Sequence, residues 1–176
     1  AVFHGGFDPG IRSVRHQRNA KFTVVYTGRL YGEQDWELVL DALERLHRSD
    51  PGSQQHFTLR IVGGVSDNPA LLRALREAER RTGMIETTPR MTREETIRIQ
   101  QQADAVLHLS YRGRKGYLPV KYLEYLGSDR PIILITREQD LMEEVLDQTK
   151  TGLKVESSDA LARLIAERVA EWRNGV

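Results

Sequence analysis

The sequence predicts an α/β fold, a Rossmann-like, doubly wound parallel sheet of about six strands with helices on both faces. Three observations predict it. Short β-branched or aliphatic runs alternate along the chain with longer stretches that carry apolar residues at helical spacing. The strand runs are near-continuously apolar rather than alternating, as expected of strands covered on both faces. Loops rich in glycine or cations follow several strands, at the strand ends where such sheets hold their ligands.

Each element has its own signal. Phe22 to Thr27 (FTVVYT) reads as a strand ended by Gly28. Trp36, Leu38, Val39, Leu40, Ala42, Leu43 and Leu46 then mark a helix that stops before Pro51. Phe57 to Val62 is a second strand closed by Gly63-Gly64. Asn68-Pro69 offers an N-cap followed by proline at the first helical position, and Gly83 a C-cap. Met84 to Thr88 is a weak third strand. Thr92-Arg93-Glu94-Glu95 is a capping box for a helix carrying Ile97, Ile99 and Ala103. Ala105 to Leu109 is the fourth strand, Pro119 to Leu126 a short helix, and Pro131 to Ile135 the fifth strand. Leu141 to Leu146 is helical, Leu153 to Val155 a sixth strand, and Ser158 the N-cap of a last helix ending near Trp172.

Residues 1–20 differ: Gly5, Gly6, Pro9 and Gly10 break any periodicity, and Arg12, Arg15, His16 and Arg18 follow without an apolar face. They read as an arm or linker, leaving 21–176 as the domain. The opening Ala1-Val2-Phe3 reads as an excised start. With 39% hydrophobic and 29% charged residues, the 176-residue chain has an ordinary globular composition. A net charge of +1 provides no global field for nucleic acid, so no nucleic-acid partner is expected. The absence of cysteine removes disulfides and thiolate zinc sites and points to the cytoplasm, with no apolar run of membrane-spanning length.

The loops after strands carry the candidate chemistry. In the first, Gly28 lets the backbone approach a ligand and Arg29 can fork onto phosphate oxygens. The same residues also suit a plain turn with a solvated arginine, and no G-x-G-x-x-G fingerprint is present. The loop after the fourth strand holds Arg112, Gly113, Arg114, Lys115, Gly116, Tyr117 and Leu118 before a helix start, a composition suited to an anion. Glu124 lies one turn into that helix on an apolar stretch. It reads either as an acceptor for two adjacent ribose hydroxyls or as a charge on the helix dipole. Pro89 and Arg90 can border a flat base or form a turn. His108, inside an apolar strand, reads as a satisfied core histidine. Metal spacing, a P-loop and a G-x-S-x-G elbow are all missing.

Several segments together resemble the retaining GT-B glycosyltransferases of the family 4 type. Phe3-His4-Gly5-Gly6-Phe7-Asp8-Pro9 is similar to their interdomain segment. Val25 to Tyr31 is similar to the strand and loop opening their C-terminal domain, and Arg60 to Gly64 to the next strand and glycine turn. Ala103 to Ser110 resembles their "AD-hydrophobic-S" strand. Leu118 to Gly127, followed by Arg130 to Ile133, resembles the "lP-K-l-EYl-G-rPil" signature. The likeness runs over essentially the whole chain in order.

This resemblance implies one half of a GT-B fold that binds a nucleoside-diphosphate sugar without a cofactor. It implies Glu124 on the ribose hydroxyls, Arg29 on the diphosphate, and Tyr117 and Leu118 beside sugar and phosphates. The acceptor half is missing, and any peripheral membrane association would come through it. Two positions depart from the pattern. Gly116 stands where the first glutamate of E-x7-E belongs, and Gln34 and Asp35 stand where the loop cation belongs. Lys121, Arg114 or Lys115 are the candidates to replace that cation. The competing readings are half of a nucleotide-sugar epimerase, a degenerate nucleotide-binding module, and a flavodoxin-like regulatory module. The last is disfavoured because glycine and arginine, not acids, occupy the strand ends.

Overall fold

The computed structural model describes residues 15–64, 67–136 and 141–175. The Phe3–Pro9 segment lies outside them. Six parallel strands form one sheet in the order β3-β2-β1-β4-β5-β6. They are β1 (Phe22–Thr27), β2 (Phe57–Val62), β3 (Ile85–Thr88), β4 (Ala105–Leu109), β5 (Ile132–Ile135) and β6 (Gly152–Val155). Between and after them run α1 (Trp36–Ser49), α2 (Pro69–Thr82), α3 (Arg93–Gln102), α4 (Val120–Leu126), α5 (Leu141–Thr149) and α6 (Ser158–Arg173). A 3₁₀ turn at Ser53–Gln55, not expected from the sequence, precedes β2.

The strand order turns at β1 and β4, which pair side by side with Val24 opposite Ala105 and Val25 opposite Val106. The order in which successive strands are added reverses there, and sheets of this kind hold their ligands beyond the carboxyl ends of the strands at such a switch. Both faces are covered. Val24 and Tyr26 join one apolar cluster with residues of α1, α2 and α6. Val25, one residue between them, joins a second cluster with Tyr122, Tyr125, Met142 and Leu146 of α4 and α5. This alternation places successive residues of one strand in two cores, and explains why the strand reads as continuously apolar.

The local signals operate as chemistry requires. Asn68 accepts from the amides of Ala70 and Leu71, Pro69 follows, and Gly83 closes α2 in the left-handed region at φ +64°. Thr92 and Glu95 exchange both bonds of the capping box. Several boundaries differ from expectation, α5 running on to Thr149 among them. Ser157, not Ser158, caps α6, because its hydroxyl accepts the Ala160 amide three residues on. Pro119 lies just outside α4, at ψ 145°, and the helix proper has 7 residues. Among the described residues of the arm, 15–20 run outside the sheet. Asn19 donates to the Gln102 carbonyl and to Asp104, and the Arg18 guanidinium lies 4.5 Å over the Trp172 ring.

Candidate functional site

The site is built from the bare backbone upward. Gly28 ends β1 at φ +99°, a conformation that an L side chain rarely adopts, and its amide bonds the Val62 carbonyl at 2.8 Å. Gly63 ends β2 at φ +79° alongside it, and a Cβ there would meet Gly28 and Arg90 backbone atoms at 3.8 Å. Two glycine turns thus lie backbone to backbone at the strand ends. Lys121 of α4 reaches over to them: a Cβ on Gly28 would lie 3.6 Å from its Nζ.

Lys121 has an unusual setting. Its Nζ donates to the Tyr26 hydroxyl at 2.8 Å and lies 3.9 Å from the centre of the Tyr26 ring. Burial pulls its pKa down from the ordinary lysine value to about 7. Tyr26 is fully buried, and that burial drives its own pKa well up; its hydroxyl also reaches the Arg29 carbonyl and Gln34 Oε1. Gln34, which stands where the family pattern has a cation, is buried. Its amide donates to the Leu109 carbonyl at 2.9 Å and accepts from the Tyr31 amide. The position is therefore a structural tie between the loops after β1 and β4.

Those loops are joined further. Gln34 and Tyr111 form an antiparallel bridge, and the Arg112 amide bonds the Glu33 carbonyl at 3.0 Å. The Arg112 side chain pairs with Asp35 at 2.8 Å, and Arg114 lies 3.8 Å from Glu33 and 5.3 Å over the Tyr111 ring. Two of the three loop cations are thus engaged by carboxylates of the first loop, while Lys115 is exposed. Tyr111 stands between Tyr31 and Tyr117 in edge contacts of 5.4 and 6.0 Å, and burial pushes its pKa up to about 12. Tyr117 and Val120 are exposed, Leu118 is half-buried. Gly113 and Gly116 are both at positive φ, with open space where a Cβ would project.

Arg29 follows Gly28 at the same strand end but turns its guanidinium to Asp67, an exposed ion pair. Glu124 is partly covered, its side chain 19% exposed, and Arg93 Nε lies 3.3 Å from its Oε1. Pro89 and Arg90 are exposed beside the glycine turns. His108 is buried as expected but not satisfied: neither ring nitrogen has a hydrogen-bond partner among the described residues. It packs on edge against Tyr122 and Tyr125, and burial, then the nearby Lys121 charge, holds its pKa well below the usual value. Below it, the Thr27 amide donates to the Tyr125 hydroxyl, and Gln100 donates to the Thr27 hydroxyl.

Sequence reasoning missed Arg93, Tyr26 and Asp35 as parts of this surface. Arg93 sits inside a capping box, which fully accounted for its neighbourhood, and Tyr26 is a core residue in all but its hydroxyl.

This parallel α/β domain, with glycine turns and cations near the switch in strand order, has a Rossmann-like fold of the kind found in GT-B glycosyltransferases. Its fold matches solved structures of that class. The pneumococcal O-GlcNAc transferase GtfA in complex with UDP and GlcNAc aligns at TM-score 0.61 and 17% identity, over 97% of this chain and 32% of that one. Anabaena HepE in complex with UDP and glucose aligns at 0.66 and 17%, over 88% and 40%. A UDP-forming α,α-trehalose-phosphate synthase from Burkholderia xenovorans aligns at 0.64 and 16%, over 89% and 40%. Residues 10–173 match the family described as glycosyl transferases group 1, and the chain belongs to that family. It spans between about a third and two fifths of the length of these solved relatives. No curated protein matches it. Among the described residues no helix is long and apolar enough to cross a membrane.

Proposed function

We propose that this chain is the donor-binding half of a retaining glycosyltransferase of the family 4 type, moving a hexose-type sugar from a nucleoside-diphosphate sugar to an acceptor. In this reading residues 1–20 are the interdomain arm, and a separate half supplies the acceptor site and any membrane association. The domain by itself binds nucleotide and transfers little, and the enzyme works in the cytoplasm. The observation that carries the reading is the approach of Lys121 to the bare backbone of Gly28, with the Glu124 carboxylate further along the same helix.

The roles follow from chemistry. A diphosphate bound at the two glycine turns meets peptide backbone without side-chain obstruction. Arg29 neutralises it once its exposed pair with Asp67 yields, a pair worth at most about 1 kcal/mol. Lys121 of α4 and Arg114 and Lys115 of the loop before it are the further candidate cations. Glu124 accepts both ribose hydroxyls, Tyr117 and Leu118 border the sugar, Gly116 leaves room beside it, and Pro89 and Arg90 flank the base. Sugar departure builds charge on the leaving diphosphate, and fixed cations stabilise that charge more than they stabilise the ground state. That both GtfA and HepE were crystallised with UDP supports a nucleoside diphosphate as the ligand class.

The test is calorimetry on the wild-type and Glu124→Gln domains with UDP and GDP and with their 2',3'-dideoxy forms. Charge-assisted bonds are worth about 1.5–3 kcal/mol each, so Glu124→Gln should weaken the ribonucleotide by roughly tenfold or more. It should leave the dideoxy ligand nearly unchanged. Equal affinity of both proteins for the ribonucleotide would remove Glu124 from the site.

A further inference from the structure

Lys121 is the half-buried cation of this surface and has no carboxylate counter-ion among the described residues; Lys115 and Arg90, which lack one too, are exposed. Arg29 is taken by Asp67, Arg112 by Asp35, Arg114 leans on Glu33, and Arg93 lies on Glu124. The groups facing Lys121 supply no negative charge. Tyr26 of β1 gives a hydroxyl and a ring face, and its burial makes that hydroxyl hard to ionise. His108 of β4 is kept neutral by its own burial and by the lysine. On its own helix, Tyr125 is fully buried and also hard to ionise, and Glu124 is occupied by Arg93. In the first loop there is only the backbone of Gly28 and the carbonyl of Arg29, which the Tyr26 hydroxyl already engages.

A covered structural lysine usually finds a carboxylate, because an uncompensated ammonium costs more to cover than its hydrogen bonds return. This one is instead placed over the Tyr26 ring and beside the backbone of Gly28. We propose that Lys121 is the second phosphate-binding cation of this site, and that binding of a nucleoside diphosphate is coupled to uptake of a proton by its amine.

The inference rests on the donor-site reading and adds two things to it. It selects Lys121 over Arg114 and Lys115, both of them exposed, as the replacement for the loop cation that Gln34 does not supply. It also adds a proton to the binding equilibrium. With an amine that loses its proton near pH 7 in the empty domain, most copies are uncharged at pH 8. A dianionic neighbour favours the ammonium, so each binding event at that pH draws a proton from the buffer. The ligand is no competing source of this effect, since phosphate groups that ionise near about pH 6 are already charged at pH 8.

The experiment is isothermal titration of the chain with UDP and with GDP at pH 8, repeated in HEPES and in Tris. These buffers differ in ionisation enthalpy, so the difference in observed heat counts protons. The expected result for the wild type is an uptake approaching one proton per nucleotide, with affinity falling up to about tenfold per pH unit above 8. Lys121→Arg, permanently charged, should bind without proton uptake. Lys121→Met should bind at least about tenfold more weakly, also without uptake. Wild-type binding with no net proton uptake, or uptake that persists in Lys121→Met, overturns the inference while leaving the donor site intact. The wild-type count is decisive even if a variant folds poorly. No binding of either nucleotide to the wild type overturns the donor-site reading and this inference with it.

Discussion

Arg93 Nε lies 3.3 Å from Glu124 Oε1, joining the start of α3 to the middle of α4. The carboxylate assigned to the ribose is therefore already partnered in the empty domain, by an arginine that is itself 58% exposed. A ribose diol would compete with that guanidinium. Exposed pairs of this kind are worth about 0–1 kcal/mol. Arg93→Ala is accordingly expected to tighten nucleoside diphosphate binding slightly, by less than about fivefold. Calorimetry decides it: a loss of tenfold or more would make Arg93 a ligand contact in its own right.

Removing Lys121's charge should stabilise the empty domain. Its pKa is lowered to about 7 in the folded chain against 10.5 ordinarily, so between those values the unfolded chain holds the extra proton. Stability then rises with pH through that window, and the cost of the covered charge is fully present below pH 7. Lys121→Met is expected to unfold about 2–4 °C higher than the wild type at pH 6, a gain on the order of 1 kcal/mol. Contact with the Tyr26 ring offsets part of the cost. The advantage should shrink toward pH 10. Thermal unfolding across that range settles it, and a variant less stable than wild type at pH 6 would show that Lys121 is a structural residue.

Gly28→Ala forces an L side chain to φ +99° at the point nearest Lys121 Nζ. Space is adequate, since the new methyl would lie at ordinary contact distance, so the cost is backbone strain of about 1–2 kcal/mol. Denaturant unfolding should register it as a lower midpoint with an unchanged slope. Nucleotide affinity should fall as well, because the methyl occupies the surface assigned to phosphate. Retained affinity in the folded variant would place the phosphates elsewhere.

Gln34→Lys restores the residue type of the family pattern, yet is expected to harm. Gln34 is 2% exposed and bonded to Tyr26, Tyr31 and Leu109. A lysine there would add a second cation on the same tyrosine hydroxyl and abandon an acceptor that the Tyr31 amide uses. We expect a loss of at least about 2 kcal/mol of stability and no gain in nucleotide affinity. A variant that folds normally and binds more tightly would mean that the loop is adaptable and Lys121 is not the replacement.

The sheet was largely legible because its signals are local or periodic. Strands that feed two cores are continuously apolar, and the caps at Asn68, Gly83 and Thr92 announce themselves within four residues. Ser157 was missed because two adjacent serines fit the cap pattern equally, and only the hydroxyl's reach to Ala160 chooses between them. The site was legible as a set of loops but not as a set of contacts. Composition places Arg112 and Arg114 in a cationic loop, whereas their partners Asp35 and Glu33 lie about eighty residues earlier and meet them only through the pairing of β1 with β4. Burial of His108 was readable from its strand; the lack of partners for its nitrogens depends on Tyr122 and Tyr125 presenting ring edges to it.

The most direct test of the central claim is a thermal-shift titration of this chain with UDP and GDP beside NAD and ATP. At about 100 times the dissociation constant a bound ligand adds roughly 2.7 kcal/mol, which for a chain of this size is a rise of about 5–10 °C. The account predicts that rise with UDP or GDP and a smaller one with NAD and ATP. No shift with any nucleoside diphosphate at millimolar concentration, or a larger one with NAD or ATP, would contradict it.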